Sequence, residues 1–344
     1  MHPTPAAAAV TGEHDDDELA ACVVVVDFWA NRFGMRARIA LHVLQVGFGF
    51  VEEDLRIRER SDLVLRMNPV HRSVPILIHR GRPICGSINI LQYIDEVWAK
   101  RVGTRLLPPD PLKRASARFW ADFVDHEKRT ELTNQLTNGA IKSGWAVMHP
   151  TPAAAAVTGE HDDDELAACV VVVDFWANRF GMRARIALHV LQVGFGFVEE
   201  DLRIRERSDL VLRMNPVHRS VPILIHRGRP ICGSINILQY IDEVWAKRVG
   251  TRLLPPDPLK RASARFWADF VDHEVFSTQT RFLKSKGEEK EMAKAELLDQ
   301  LRRLEGVLGD RSFFSGDEFG FLDIVLIPFS SRFHGYKQHM VGLI

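Results

Sequence analysis

The chain has 344 residues, 46% of them hydrophobic, and its 45 basic and 45 acidic side chains cancel to a formal charge of zero. No segment carries the basic surplus expected of a nucleic-acid or anionic-membrane binder. The longest apolar runs, such as Val23–Val26, fall far short of the roughly 20 residues that span a bilayer. Cys22, Cys85, Cys169 and Cys232 show no CxxC or metal-type spacing, which points to a reduced, cytoplasmic protein with no metal site. The opening MHPTPAAAAVTGEHDDDELAA lacks a basic n-region and turns acidic early, unlike a targeting peptide.

In chain order, CVVVVDFWA reads as a buried strand, a short β-branched run reaching an aromatic pair. FGMRARIALHVLQV follows as a helix, with Met35, Ile39 and Leu41–Val43 as its apolar stripe and Arg36 and Arg38 facing water. FGFVEEDL is a second strand, and ERSDLVLRM a short helix with Ser61 as N-cap. NPVHRSVPILIH is a strand entered through Val74-Pro75 and joined to RPIC by a tight turn at His79-Arg80-Gly81. SINILQYIDEVWAKR closes the set as a helix with Ser87 at its N-cap and Ile90, Leu91, Ile94 and Trp98 inward. The order β-α-β-α-β-β-α is that of a thioredoxin-like domain. A Pro-rich connector then leads to the helix RASARFWADFVDHE.

Length alone suggests about two domains, but residues 1–127 recur without one substitution at 148–274. The repeat leaves a joint at 128–147 and a tail at 275–344. A recent duplication and two adjacent genes read as one chain both account for it. The first copy stops at Glu127 and runs into KRTELTNQLTNGAIKSGWAV, which has no period; the second continues from Glu274 into helix. There Leu297, Leu301, Leu304 and Leu308 share a face, and FGFLDIVLIPF forms a last helix with Gly320 as N-cap and Asp323 three residues on. The fold class is α/β plus all-α. A disordered tail (1–20) precedes a thioredoxin-like domain (21–102) and a partial first helix of the helical domain (103–127). After a linker (128–168) come the second thioredoxin-like domain (169–249) and a truncated helical domain (250–344). Without its helical half, the first copy is expected to leave the face of its last helix exposed, or to dock it on a second chain.

DFWANRFGMRARIAL, EEDLRIRERSDLVLRMNPVHRSVPILI, GRPICGSINILQYIDE, RFWADF and FGFLDIVLIPF together resemble a tau-class glutathione transferase of plants. The resemblance implies glutathione as cosubstrate with no other cofactor, a hydrophobic small-molecule electrophile, and a homodimer. In that family a hydroxyl at the N-terminus of the first helix, where the dipole favours an anion, lowers the pKa of the glutathione thiol, and the thiolate attacks an electrophile held against the helical domain. The hydroxyl donor is Ser in a W-x-S-P-F pattern. Here Trp176-Ala177-Asn178-Arg179-Phe180 places Asn178 there, and Asn31 in the first copy. An amide N–H can still donate to a thiolate, and Arg179 adds positive potential; the alternative is that Asn178 only caps its helix.

Val221-Pro222, repeated from Val74-Pro75, matches the family's cis bond, which lets Val221 pair with the cysteinyl backbone of glutathione. The Lys that usually precedes it is Ser220 (Ser73 in the first copy), with Arg219 one step away as a substitute. The family's second Lys appears as Leu191. Gly233-Ser234 replaces an E-S pair that holds the γ-glutamyl group; Ser234, like Ser87, keeps a hydroxyl and N–H at a helix start. Phe180, Phe266, Trp267 and Phe270 are the candidate electrophile pocket, a stripe that could equally be helix core. His218 and His226 read as structural or solvent-facing, Cys232 as a packed small side chain, and the acidic run 162–165 as solvated. The expected function is conjugation of glutathione to hydrophobic electrophiles in detoxification. The competing reading is a non-catalytic glutathione- or ligand-binding protein, or an inactive fused product.

Overall fold

The computed structural model describes residues 23–126 and 170–336, except 56, 58 and 205. The expected tail 1–20 and linker 128–168, with Cys22 and Cys169, lie outside the described residues. The chain divides into two compact units, one through Leu106 and one from Leu107.

In the first unit, β1 (Val23–Asp27) is a buried central strand, as its β-branched run predicts. It pairs in parallel with β2 (Gly49–Glu52) and antiparallel with β3 (Ile76–His79), and β3 pairs antiparallel with β4 (Arg82–Cys85), giving the sheet order β2-β1-β3-β4. The parallel pair needs a crossover, supplied by α1 (Arg32–Val43). Arg80 and Gly81 both have positive φ, as a two-residue hairpin demands. Ser61 caps α2 (Asp62–Met67) through Val64 N, as predicted. The third helix, α3 (Ser87–Val102), differs: Gly86 at φ 87° is its N-cap and Ser87 its first residue. The predicted apolar stripe of α1 is also misplaced. Its buried side is Gly34, Ala37, Ala40 and Leu41, while Met35, Ile39 and Val43 are 45%, 56% and 48% exposed.

The second unit opens with α4 (Pro111–His126), the last helix of the first repeat. The second repeat rebuilds the sheet as β6-β5-β7-β8 from β5 (Val170–Asp174), β6 (Gly196–Glu199), β7 (Ile223–His226) and β8 (Arg229–Cys232). Its helices are α5 (Arg179–Val190), α6 (Asp209–Met214) and α7 (Ser234–Val249). The helical half follows: α8 (Pro258–Phe270), a π-helical turn (Val271–Val275), α9 (Phe276–Lys284), α10 (Gly287–Leu308) and α11 (Phe321–Tyr336). Asp257 caps α8 with Pro258 at its first position. Asp323 accepts from Gly320 N at 2.9 Å and from Phe314 N at 3.2 Å, fixing the start of α11 as its sequence predicts.

α11 packs on α5 and on α8. The same stripe that is exposed on α1 is therefore half-buried on α5, at Met182, Ile186 and Val190. The exposed face expected for the last helix of the first repeat is not found: α4 packs on α7 and β8, with Phe119 and Phe123 only 5% and 2% exposed. Among the described residues, no helix is long and apolar enough to cross a membrane, and no group of His, Cys, Asp and Glu is arranged to hold a metal ion.

Candidate functional site

The first part of the site is the turn between β5 and α5. Asn178 has an extended backbone and its side-chain oxygen accepts from Phe180 N at 3.2 Å, capping α5. Its amide nitrogen donates to Asp174 Oδ1 at 2.7 Å, which leaves one amide hydrogen uncommitted by that bond. Asp174, at the end of β5, is wholly buried, and burial pushes its carboxyl up to about 6 against the pull of the Asn178 hydrogen bond. The carboxylate fits beneath α5 because residue 181 is glycine: a Cβ there would lie 1.6 Å from Asp174 Oδ2. The first copy repeats the arrangement, with Asn31 donating to Asp27 at 2.7 Å and accepting from Phe33 N at 3.1 Å.

The second part is the loop between α6 and β7. Buried Asn215 ties it from inside, accepting from His218 N at 3.3 Å and donating to the Ser220 carbonyl at 2.9 Å. The Val221-Pro222 bond is cis, as is Val74-Pro75, in line with the resemblance. Arg219 sits at φ 50°, a left-handed conformation unusual for a non-glycine residue, and its Nε donates to the Pro216 carbonyl at 3.4 Å. Ser220 is exposed and Val221 half-buried. In the first copy Ser73 is exposed and its carbonyl accepts from Asn68 at 2.9 Å.

The third part is the start of α7. Gly233 at φ 87° delivers Ser234 into the first turn of the helix, where free backbone N–H groups and the dipole favour a carboxylate. Ser234 Oγ accepts from Arg183 Nη1 at 3.0 Å, so the hydroxyl proton is left to donate elsewhere. Arg183 corrects the expectation that this position faces water: its side chain is 0% exposed. It pairs bidentately with Asp272 in the π-helical turn at 2.5 and 3.0 Å, and its Nε donates to the Val325 carbonyl at 3.1 Å. One guanidinium thus joins the start of α7 to two elements of the helical half. In the first copy Arg36 reaches Ser87 at 3.3 Å and is only half-buried.

Phe180 meets Phe276 at 5.1 Å and Phe329 at 5.9 Å, with the Arg183 guanidinium 5.1 Å over its ring. Arg179 is held in the same cluster, donating to Gln279 at 2.5 Å and lying 5.0–5.1 Å over Phe329 and Phe276. Along α8, the Trp267 ring meets Phe266 at 5.3 Å and Phe270 at 5.2 Å. His226 is buried, bonded to Tyr240 at 2.7 Å and packed on Trp245, and desolvation pulls its pKa down to about 4. Cys232 is a buried thiol pushed up to about 12, unsuited to act as a nucleophile. Sequence reasoning missed Asp174, Arg183, Asp272, Phe276 and Phe329. Gly181 and Asp174 are the one local signal, a glycine one turn into a helix facing a strand-end carboxylate; the others become visible only when the helical half is folded on.

Comparison with known proteins matches residues 23–96 and again 170–243 to the glutathione S-transferase N-terminal domain, and 287–343 to the glutathione S-transferase C-terminal domain. The chain is 49% identical over 168 residues to the probable glutathione S-transferase parA of Nicotiana tabacum, covering 49% of this chain and 74% of that one. It is 49% identical over 169 residues to glutathione S-transferase U22 of Arabidopsis thaliana, covering 49% of this chain and 76% of that one. Among solved structures, the rice enzyme in complex with glutathione is 44% identical over 49% of this chain and 76% of its own, with a TM-score of 0.46. The family signature, found twice for one half and once for the other, reproduces the repeat, and the chain belongs to the glutathione S-transferase family.

Proposed function

We propose that the second repeat and its helical continuation form one transferase unit, of the plant tau-class type, that conjugates glutathione to hydrophobic electrophiles. The carrying observation is the hydroxyl of Ser234 at the start of α7, oriented by buried Arg183 and two residues past Cys232, which pairs with Ile223 just after the cis Val221-Pro222 bond. In this reading the α7 N-terminus and Ser234 receive the γ-glutamyl carboxylate. The backbone of Val221 pairs with the cysteinyl unit, and the remaining amide hydrogen of Asn178 stabilises the thiolate, helped by the start of α5. The sulfur then forms its bond to the electrophilic carbon, the leaving group departs with its electron pair, and the thiol proton has already passed to solvent. The aromatic cluster of Phe180, Phe276 and Phe329 supplies apolar surface beside α5. A homodimer belongs to the same reading; light scattering at twice the 39.1 kDa chain mass checks it.

Calorimetric titration of the full chain with glutathione tests the proposal. Binding in the submillimolar range is expected, and no binding at millimolar glutathione overturns it. A non-catalytic binder is favoured by one observation, that both ends of the Asn178 amide already serve the protein. Turnover of an aryl electrophile separates the two.

A further inference from the structure

Helix α4 belongs by sequence to the first repeat, yet it lies on the second repeat, against both elements assigned above to glutathione. At one end, Asn236, two residues after Ser234, donates to the Ala115 carbonyl at 2.9 Å. Along α7, Arg114 Nη1 stands 3.1 Å from one oxygen of Glu243 while Arg118 Nη2 pairs with the other. At the other end, the Phe119 and Phe123 rings lie 5.1 and 5.7 Å from the His218 ring. Phe119 joins the core formed by Val173, Val211, Ile223 and Cys232, with Val217 and Val221 packed against it. The loop 217–221 is therefore held from inside by Asn215 and from outside by two aromatic rings of another repeat.

These contacts are more than generic burial. The same residues recur at 258–273, where they form α8 and carry Asp272 to Arg183. One sequence thus serves twice, once as the root of the helical half and once as an outer support of the glutathione loop. Because α4 and the second repeat are in one chain, the support is present at high effective concentration.

We propose that α4 is a positioning element supplied in cis: the first repeat, although it has no helical half of its own, braces the His218–Val221 loop and the start of α7 and so sets the affinity of the second repeat for glutathione. This rests on the reading of that loop and Ser234 as the glutathione site. Arg114, Arg118, Phe119 and Phe123 are its positioning residues.

The test uses the full chain in three forms: the parent, Arg114→Glu/Arg118→Glu, which sets like charges against Glu243, and that pair with Glu243→Arg added. Glutathione affinity is measured by calorimetry, and amide hydrogen exchange is followed at 217–221, with α10 as an internal control for folding. The double variant is expected to bind glutathione about tenfold more weakly and to exchange faster at 217–221. At saturating glutathione its kcat is unchanged, and α10 keeps its protection. The added Glu243→Arg restores both affinity and protection. If the double variant keeps affinity and loop exchange within about twofold of the parent, the proposal is overturned. Loss of protection throughout α10 as well, unrepaired by Glu243→Arg, also overturns it, since the helix is then general scaffold. A parent chain that binds no glutathione removes the transferase reading and with it the premise, whereas exchange rates alone report whether α4 grips the loop.

Discussion

The side-chain oxygen of Asn178 accepts from Phe180 N while its nitrogen donates to Asp174, so a substitution at 178 alters a helix start and a buried carboxyl together. Asn178→Ser retains a capping oxygen and puts a hydroxyl where the proposed function sets the thiolate; on that reading kcat/KM with a standard aryl electrophile is expected to rise several-fold. Asn178→Ala loses the cap, at about 1 kcal/mol, and lowers turnover. The raised pKa of Asp174 gives a signed pH effect. Between about pH 4 and 6 the folded chain keeps a proton that the unfolded chain has released, so stability falls as pH rises through that window. The shift from 3.8 to about 6 corresponds to a contribution on the order of 3 kcal/mol. Denaturant unfolding at pH 4 and pH 7 is expected to show a larger loss for the parent than for Asp174→Asn.

Comparing α1 with α5 sets one sequence in two surroundings. On α5, Arg183 is buried against Asp272 and Ile186 is half-covered; on α1, Arg36 is half-buried and Ile39 is 56% exposed. Arg183→Met leaves Asp272 and Ser234 without their shared partner and is expected to cost about 3 kcal/mol, with weaker glutathione binding. Arg36→Met in the first copy costs under about 1 kcal/mol. Thermal unfolding of the two single variants decides it. The same comparison explains what the residues alone could reveal. The Val-rich strand, the Arg80-Gly81 hairpin, the Ser61 cap and the Asp323 start of α11 all depend on neighbours within a few positions, and all were legible. The face of α1, the burial of Arg183 and the destination of α4 depend on partners from 51 to 142 positions away. Hydrophobic period cannot encode which of two identical helices will meet them. The N-cap of α3 falls one residue before the expected Ser87 because Gly86, with φ 87°, starts the helix without a side-chain cap.

At the scale of the whole molecule, the match to the glutathione S-transferase C-terminal domain follows the second repeat, and the proposed site is the one in that repeat. The first copy has Asn31, cis Val74-Pro75 and Ser87, but its α1 stripe of Met35, Ile39 and Val43 stands open where α11 covers α5. Asn31→Ser is therefore expected to leave turnover unchanged while Asn178→Ser raises it, a contrast read from initial rates of two otherwise equal proteins. The zero net charge holds for the chain, with each copy close to neutral. An intact-mass measurement on native protein separates the two origins of the repeat: 39.1 kDa supports a duplicated gene, and a shorter species supports two adjacent genes.

The unequal surroundings of Arg36 and Arg183 also set a direction of descent. The copies are identical, yet a substitution meets different surroundings in each, because the arginine at 183 is locked into three elements and the one at 36 is not. Divergence in related lineages will therefore begin on the open stripe at 35, 36, 39 and 43, while 182, 183, 186 and 190 hold their residues. The residues of α4 that grip the second repeat will be the slowest part of the first copy to drift.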